Sequence, residues 1–213
     1  MTRTARERSA INRRSSTATI DASSSGELTI FDVSITVSEN CRGLPRANQV
    51  ESDSKQRKAE QAELWWKHAY DAQMRGELEV AIGLYTKSID IEPTAEAYTF
   101  RGWVKSFQGR LDDAIDDCHR AIEVDPEFGN PYNDIGAYLI QKGDMHGAVP
   151  WLERAIRAKR YDCYFYPHFN LGRVYEHQGQ LIRAMNCYKA AWDLNRNYQE
   201  AMNGFRRIQS RLS

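Results

Sequence analysis

Asp112, Asp113, Asp116 and Asp117 fall within six residues, a density of carboxylates that a hard cation can use when the oxygens converge. In the run DDAIDD, however, a helical reading turns Ala114 and Ile115 inward and spreads the aspartates over a solvated outer face. A convex stripe does not converge on an ion, so no metal site is expected. Four cysteines, Cys41, Cys118, Cys163 and Cys187, form no Cys-x-x-Cys pair and suit a reducing compartment better than a disulfide scaffold or zinc site. Cys118 reads as a small core residue, Cys187 as half-exposed, and Cys163, in the longest connection, as the thiol most open to reaction. The five histidines share no spacing, and His68 and His168 take helix-packing positions. There is no Gly-rich phosphate loop, no Gly-x-Ser-x-Gly elbow and no His-Glu-x-x-His. No catalytic residue and no cofactor is expected, and the chain reads as non-enzymatic.

What remains is the chemistry of recognition. Tyr161, Tyr164, Phe165, Tyr166, His168 and Phe169 crowd the segment RYDCYFYPHFN. These rings either pack a wide connection or project as anchors for a partner. Lys and Arg number 29 against 29 Asp and Glu, a balance that argues against counterion-driven binding to nucleic acid or an anionic membrane. No apolar run approaches the ~20 residues of a membrane span. The expected partner is therefore another protein or peptide, and the expected setting is cytoplasmic.

Composition divides the 213 residues near position 54. Residues 1–53 are rich in Ser, Thr and Arg, with Arg3, Arg6, Arg8, Arg13 and Arg14 against Glu7. They read as a mostly disordered arm, although an organelle transit peptide and a misplaced start share that composition. LTIFDVSITVS alternates Val33, Ile35 and Val37 with polar residues and reads as a lone strand without a partner. All five Trp and all eleven Tyr lie in 54–213, where the folded mass is expected.

That second part repeats itself. Gly76, Gly109, Gly143 and Gly179 are spaced 33, 34 and 36 apart. Three further series keep the same spacings: Ala69, Gly102, Gly136, Gly172; Ala81, Ala114, Ala148, Ala184; and Ser88, Ala121, Ala155, Ala191. Length variation confined to one connection is the mark of stacked helical hairpins. Each unit predicts two helices joined at a left-handed glycine. Small residues such as Gly136 and Ala148 let the paired helices approach, and Ala155 does the same toward the next unit.

On these residues the sequence resembles the tetratricopeptide repeat (TPR) family, whose pattern is W-x2-L-G-x2-Y, then A-x3-F, then P. The match is fullest in repeat 4, with His168, Leu171, Gly172, Tyr175, Ala184 and Tyr188. Repeat 2 gives Tyr98, Gly102, Ala114, Ala121 and Pro126; repeat 1 gives Trp65, Ala69, Ala81, Tyr85 and Pro93. His68 and Arg101 replace the family leucine, Lys105 the tyrosine, and Arg160 and Arg196 stand where prolines are usual. The resemblance implies an all-α, right-handed solenoid of four helix-turn-helix repeats, at about 62–94, 95–128, 129–164 and 165–198. A C-terminal capping helix follows at 199–212, with Ala201, Met202, Phe205, Ile208 and Leu212 on one face and Arg206, Arg207 and Arg211 in water.

The resemblance also implies a concave groove lined by the first helix of each repeat, and hence a protein-interaction module that holds an extended peptide or a helix. The family's contact positions include Trp66, Tyr70, Trp103, Phe107 and Phe169; of these Trp66, Tyr70, Trp103 and Phe169 are expected to be surplus to the core, and Trp66, Tyr70 and Trp103 to form one apolar wall. Asn133, Asn170 and Arg173 form a polar wall, with Arg173 favouring an acidic ligand residue. The cationic clamp by which some family members hold a C-terminal carboxylate is absent. Its slots hold Trp66 and Tyr70, then Phe100, then Asn130 and Asp134. Two other roles fit the same pattern: a structural subunit joined through the arm or convex face, and a regulatory segment of an enzyme complex. A monomer or weak oligomer is expected.

Overall fold

In this computed structural model, the described residues are 47–213, and they hold nine α-helices. Residues 1–46 of the arm, with the candidate strand at 28–38, lie outside them. Helix α1 spans Ala47–Met74, α2 Leu78–Ile91, α3 Ala95–Phe107, α4 Leu111–Val124 and α5 Asn130–Gln141. Helix α6 spans Met145–Arg157, α7 Phe165–His177, α8 Leu181–Leu194 and α9 Gln199–Leu212. The fold is an all-α TPR solenoid of four hairpins, α1/α2, α3/α4, α5/α6 and α7/α8, with α9 laid against α8. Helix α1 begins within the stretch that composition assigned to the arm. Its side chains at 51–58 are all exposed, so hydrophobic patterning gave no sign of a helix there.

Each hairpin turns in the same way. Gly76, Gly109, Gly143 and Gly179 have φ of 78°, 74°, 87° and 73°, the left-handed region that side chains disfavour. Past the glycine, the amide of Glu77 donates to the Ala72 carbonyl at 3.0 Å. Arg110 donates likewise to Lys105 at 3.1 Å, Asp144 to Leu139 at 2.9 Å and Gln180 to Tyr175 at 2.8 Å. This bond closes the helix end and aims the chain back along its partner.

Close approach within the hairpins rests on the small residues. A Cβ on Gly136 would lie 2.5 Å from Leu152 Cδ2, and one on Gly102 would lie 2.9 Å from the Ala114 carbonyl oxygen. At the end of the stack, Gly204 approaches the Tyr188 ring, where an added Cβ would sit 2.9 Å away. Arg206, two residues on, is exposed, as the sequence expectation for the capping helix has it.

The departures from the family pattern have partners. Arg101 Nη2 and Lys105 Nζ both reach Asp117, each at 2.7 Å, and Asp117 is 3% exposed. The expectation that all four aspartates are solvated therefore fails at Asp117. It stands three residues after buried Ala114 on the inward face, where two cations neutralise it. Arg160, in a proline's usual place, pairs with Glu96 and Asp125 and lies 4.2 Å over the Phe128 ring. Its amide donates to the Glu127 carbonyl, and its carbonyl accepts from Gly129, each at 3.0 Å, tying two inter-repeat loops together.

Helices adjacent in sequence pack on one another, and α1, α3, α5 and α7 also touch in series, more extensively than any pair among α2, α4, α6 and α8. The odd-numbered helices therefore line the inner, concave wall.

Candidate protein-binding groove

The aromatic part of the wall is built on α1 and α3. Trp66 stacks on Tyr70 with centroids 5.6 Å apart and planes 7° from parallel. Phe100 meets Trp66 edge-on at 5.1 Å and Tyr70 at 5.9 Å. Trp103 lies 6.0 Å from Phe100, and Phe107 lies 5.2 Å from Trp103. One row of five rings thus crosses from the first repeat to the second, with Phe100 as its link. Trp103 is 39% exposed and Phe107 58% exposed.

Trp66 and Tyr70 are half-buried. Trp66 packs on the cluster of Ala69, Ala72, Ala81, Tyr85 and Val104, so it is not surplus to the core. Its indole Nε1 is buried without a partner. Phe169 is also half-buried, 5.6 Å from Tyr188 and 5.0 Å from Tyr198, and stands apart from the α1–α3 row.

Beyond Trp103 the groove deepens into a cleft of about 440 Å³ between α3, α5 and α7. Its lining includes Phe100, Trp103, Asn133, Asp134, Tyr161, Tyr166 and Asn170. Asn133 and Asn170 are buried and bonded to each other, which occupies part of the capacity expected to face a ligand. Asn133 Nδ2 donates to Asp134 Oδ1 at 3.3 Å, Asn170 Nδ2 to Asn133 Oδ1 at 3.1 Å, and Arg173 Nη1 to Asn170 Oδ1 at 3.3 Å. The order has one consistent direction. A carboxylate only accepts and a guanidinium only donates, so the two ends fix both amides between them. Arg173 itself remains exposed.

Asp134 is half-buried, and burial pushes its carboxyl up to about 7, against a smaller lowering from the Asn133 amide. Among the described residues no cation lies within ion-pair distance of it. Sequence reasoning placed Asp134 and Phe100 only as failures of a carboxylate clamp. The available signal was register: Phe100, Asp134 and Asn170 each stand two residues before the small residue of their repeat, Gly102, Gly136 and Gly172.

The aromatic segment that leads into α7 divides between packing and exposure. Tyr161 and Tyr164 pack the wide connection against Tyr132, Ala155 and Ala158, whereas Tyr166 is exposed and lines the cleft. Cys163 is half-buried, and its thiol is held above the usual range by burial and then by Asp162, which opposes the expected reactivity. Cys118 is fully buried as expected, and Cys187 is half-buried. Among the described residues no group of His, Cys, Asp and Glu is arranged to hold a metal, and no helix is long and apolar enough to cross a membrane.

A helix-hairpin solenoid with an open inner wall is the architecture of a repeat interaction module. The tetratricopeptide repeat family pattern matches residues 95–128, 130–162 and 167–198, and the chain is a member of that family. Repeat 1 lies outside the matched segments, yet its hairpin has the same turn and small-residue crossing as the others. The Small glutamine-rich tetratricopeptide repeat-containing protein 2 of Mycosarcoma maydis is 33% identical over 107 residues, covering 49% of this chain and 29% of that protein. This chain spans between 11% and 29% of the length of the curated relatives it matches. Among solved structures, pilF of Pseudomonas aeruginosa superimposes with a TM-score of 0.68 at 19% identity, covering 72% of this chain and 70% of that one. YrrB, described as a TPR protein with an unusual peptide-binding site, gives 0.54 at 21% identity, covering 68% of this chain and 75% of that one. TPR domains generally bind protein or peptide partners, and this chain is a protein-interaction module of that kind.

Proposed function

We propose that the concave face is a non-enzymatic binding surface for an extended segment or a helix of another protein. Trp66, Tyr70, Trp103 and Phe107 act as the apolar wall, and Asn133, Phe169, Asn170 and Arg173 continue it toward repeat 4. The observation that carries this reading is the uninterrupted row of rings ending in Trp103 and Phe107, both open to solvent on the wall where first helices meet. Exposed, clustered aromatics beside a polar cleft have the composition of interface hot spots. The peptide-binding site named for YrrB supports the same use of the fold.

The test is capture of partners from a lysate of the source cells by the full chain and by its Trp103→Ala variant. Calorimetric titration of the captured partner then follows, with circular dichroism confirming retained helix. Loss of affinity in a folded variant is expected. Unchanged affinity would move binding off the concave face, toward the arm or the convex surface.

A further inference from the structure

We infer that the cleft between α3, α5 and α7 is a pocket for a cationic side chain, an arginine or lysine of the bound segment, with Asp134 as its counter-ion. This rests on the groove reading above and specifies which partners the groove selects. Three independent features converge on a cation. The first is charge: Asp134 lines the cleft and receives one long hydrogen bond, from Asn133 at 3.3 Å.

The second is that neighbouring cations are committed elsewhere. Arg101 and Lys105 on α3 are held by Asp117 at 2.7 Å, and Arg160 is held by Glu96 and Asp125. Arg173 on α7 is exposed and touches the relay only at Asn170, through one 3.3 Å bond, so it too leaves Asp134 without an ion pair. Withdrawing a carboxylate from water without a paired cation is unfavourable, and an arriving guanidinium or ammonium removes that cost. The acid therefore discriminates by charge: a neutral side chain leaves it unpaired and an acidic one repels it.

The third is the wall. Phe100, Trp103, Tyr161 and Tyr166 line the same cleft, and ring faces attract cations as well as the methylene stems that carry them. An arginine suits such a site best, because its planar head can stack on a ring while its N–H fork reaches a carboxylate. The Asn170–Asn133 relay holds the carboxylate in place, since every donor along it points toward Asp134.

The experiment uses the full chain and five hexapeptide sub-libraries, acetylated and amidated, with a central Arg, Lys, citrulline, norleucine or Glu and all other positions randomised. Binding is read by fluorescence polarisation. The Arg and Lys libraries are expected to bind at least tenfold tighter than the citrulline and norleucine libraries, with Glu weakest. In Asp134→Asn that preference should fall to less than threefold, through weaker binding of the Arg and Lys libraries and equal or tighter binding of the neutral ones; in Asp134→Glu it should persist. Trp103→Ala should weaken every library. A wild type without cationic preference, or a preference that survives Asp134→Asn, overturns the pocket. Continued sensitivity to Trp103→Ala in that case leaves the groove reading standing. Binding of all libraries that ignores Trp103→Ala, or no binding at all, removes both.

Discussion

A carboxylate held out of water without a cation destabilises the protein that contains it, so Asp134 has a signature apart from any ligand. Its folded-state pKa, about 7, lies above the unfolded value near 4. The sign follows: its contribution to stability is present below about pH 4 and is lost progressively as pH rises toward 7. Asp134→Asn, which keeps shape and loses the charge, is expected to be more stable than wild type above pH 7. The gain is about 1–2 kcal/mol, since the open cleft screens part of the cost, and it should shrink steadily toward pH 4. Cys118, Tyr138 and Tyr161 are nearby titratable groups, and burial raises each, so none takes on charge in that window. Denaturant melts at pH 8 and pH 4 check it, and an Asn variant no more stable at pH 8 would show that Asp134 is solvated. The small residues were legible because a missing Cβ leaves a periodic trace. Asp117 was misread because its acidity outweighed its spacing from Ala114, and Asp134 because being unpaired is a fact about neighbours that sequence does not display. Two of the glycines can be tested directly. Gly102→Ala drives a Cβ against a backbone oxygen at 2.9 Å and should cost about 2–3 kcal/mol, and Gly136→Ala drives one to 2.5 and 2.6 Å from Cδ2 and Cγ of the fully buried Leu152 and should cost at least as much. A thermal midpoint equal to wild type for either variant would contradict the geometry.

At the scale of elements, α9 shows how an end is closed. Ala201, Gly204 and Ile208 bury one side of it, while Arg207 forks onto Glu176 of α7 with bonds of 2.9 and 2.7 Å. The Arg207 bonds chiefly hold the Glu176 carboxyl below its usual range. A lowered pKa stabilises the fold above the unfolded value and stops doing so as pH falls through the folded one. Arg207→Ala should therefore lower stability by about 1 kcal/mol at pH 7, with the difference fading in acid. Removal of everything after residue 197 should expose Tyr188 and its neighbours and lead to aggregation, read by light scattering. A soluble truncation of unchanged stability would deny α9 its closing role. The helices and turns of all four repeats were legible from spacing, because each hairpin reuses one local rule. The N-terminal turns of α1 were not, because a helix that buries no face there has no apolar period to reveal it.

For the whole molecule, the question is how a stack that spends its aromatics on cohesion retains some for binding. Trp66 and Trp103 lie on adjacent inner helices, Trp66 three residues before Ala69 and Trp103 one residue after Gly102, and their surroundings differ. Trp66 packs on the repeat 1 core and stacks on Tyr70, whereas Trp103 touches Phe100 and Phe107 and leaves 39% of its surface free. Truncation should separate the two roles. Trp66→Ala is expected to cost about 1–3 kcal/mol of folding stability, because it opens a hole between α1 and α3 and loosens the ring row with it. Trp103→Ala should change stability by about 0.5 kcal/mol or less and yet cost ~2 kcal/mol of binding, roughly thirtyfold in Kd. The paired measurement is a thermal melt and a calorimetric titration with the captured partner for each variant. If Trp103→Ala unfolded the array while Trp66→Ala weakened only binding, cohesion and recognition would be assigned to the wrong rings. If neither altered affinity, the inner wall would be structural and the partner would meet another face of the solenoid.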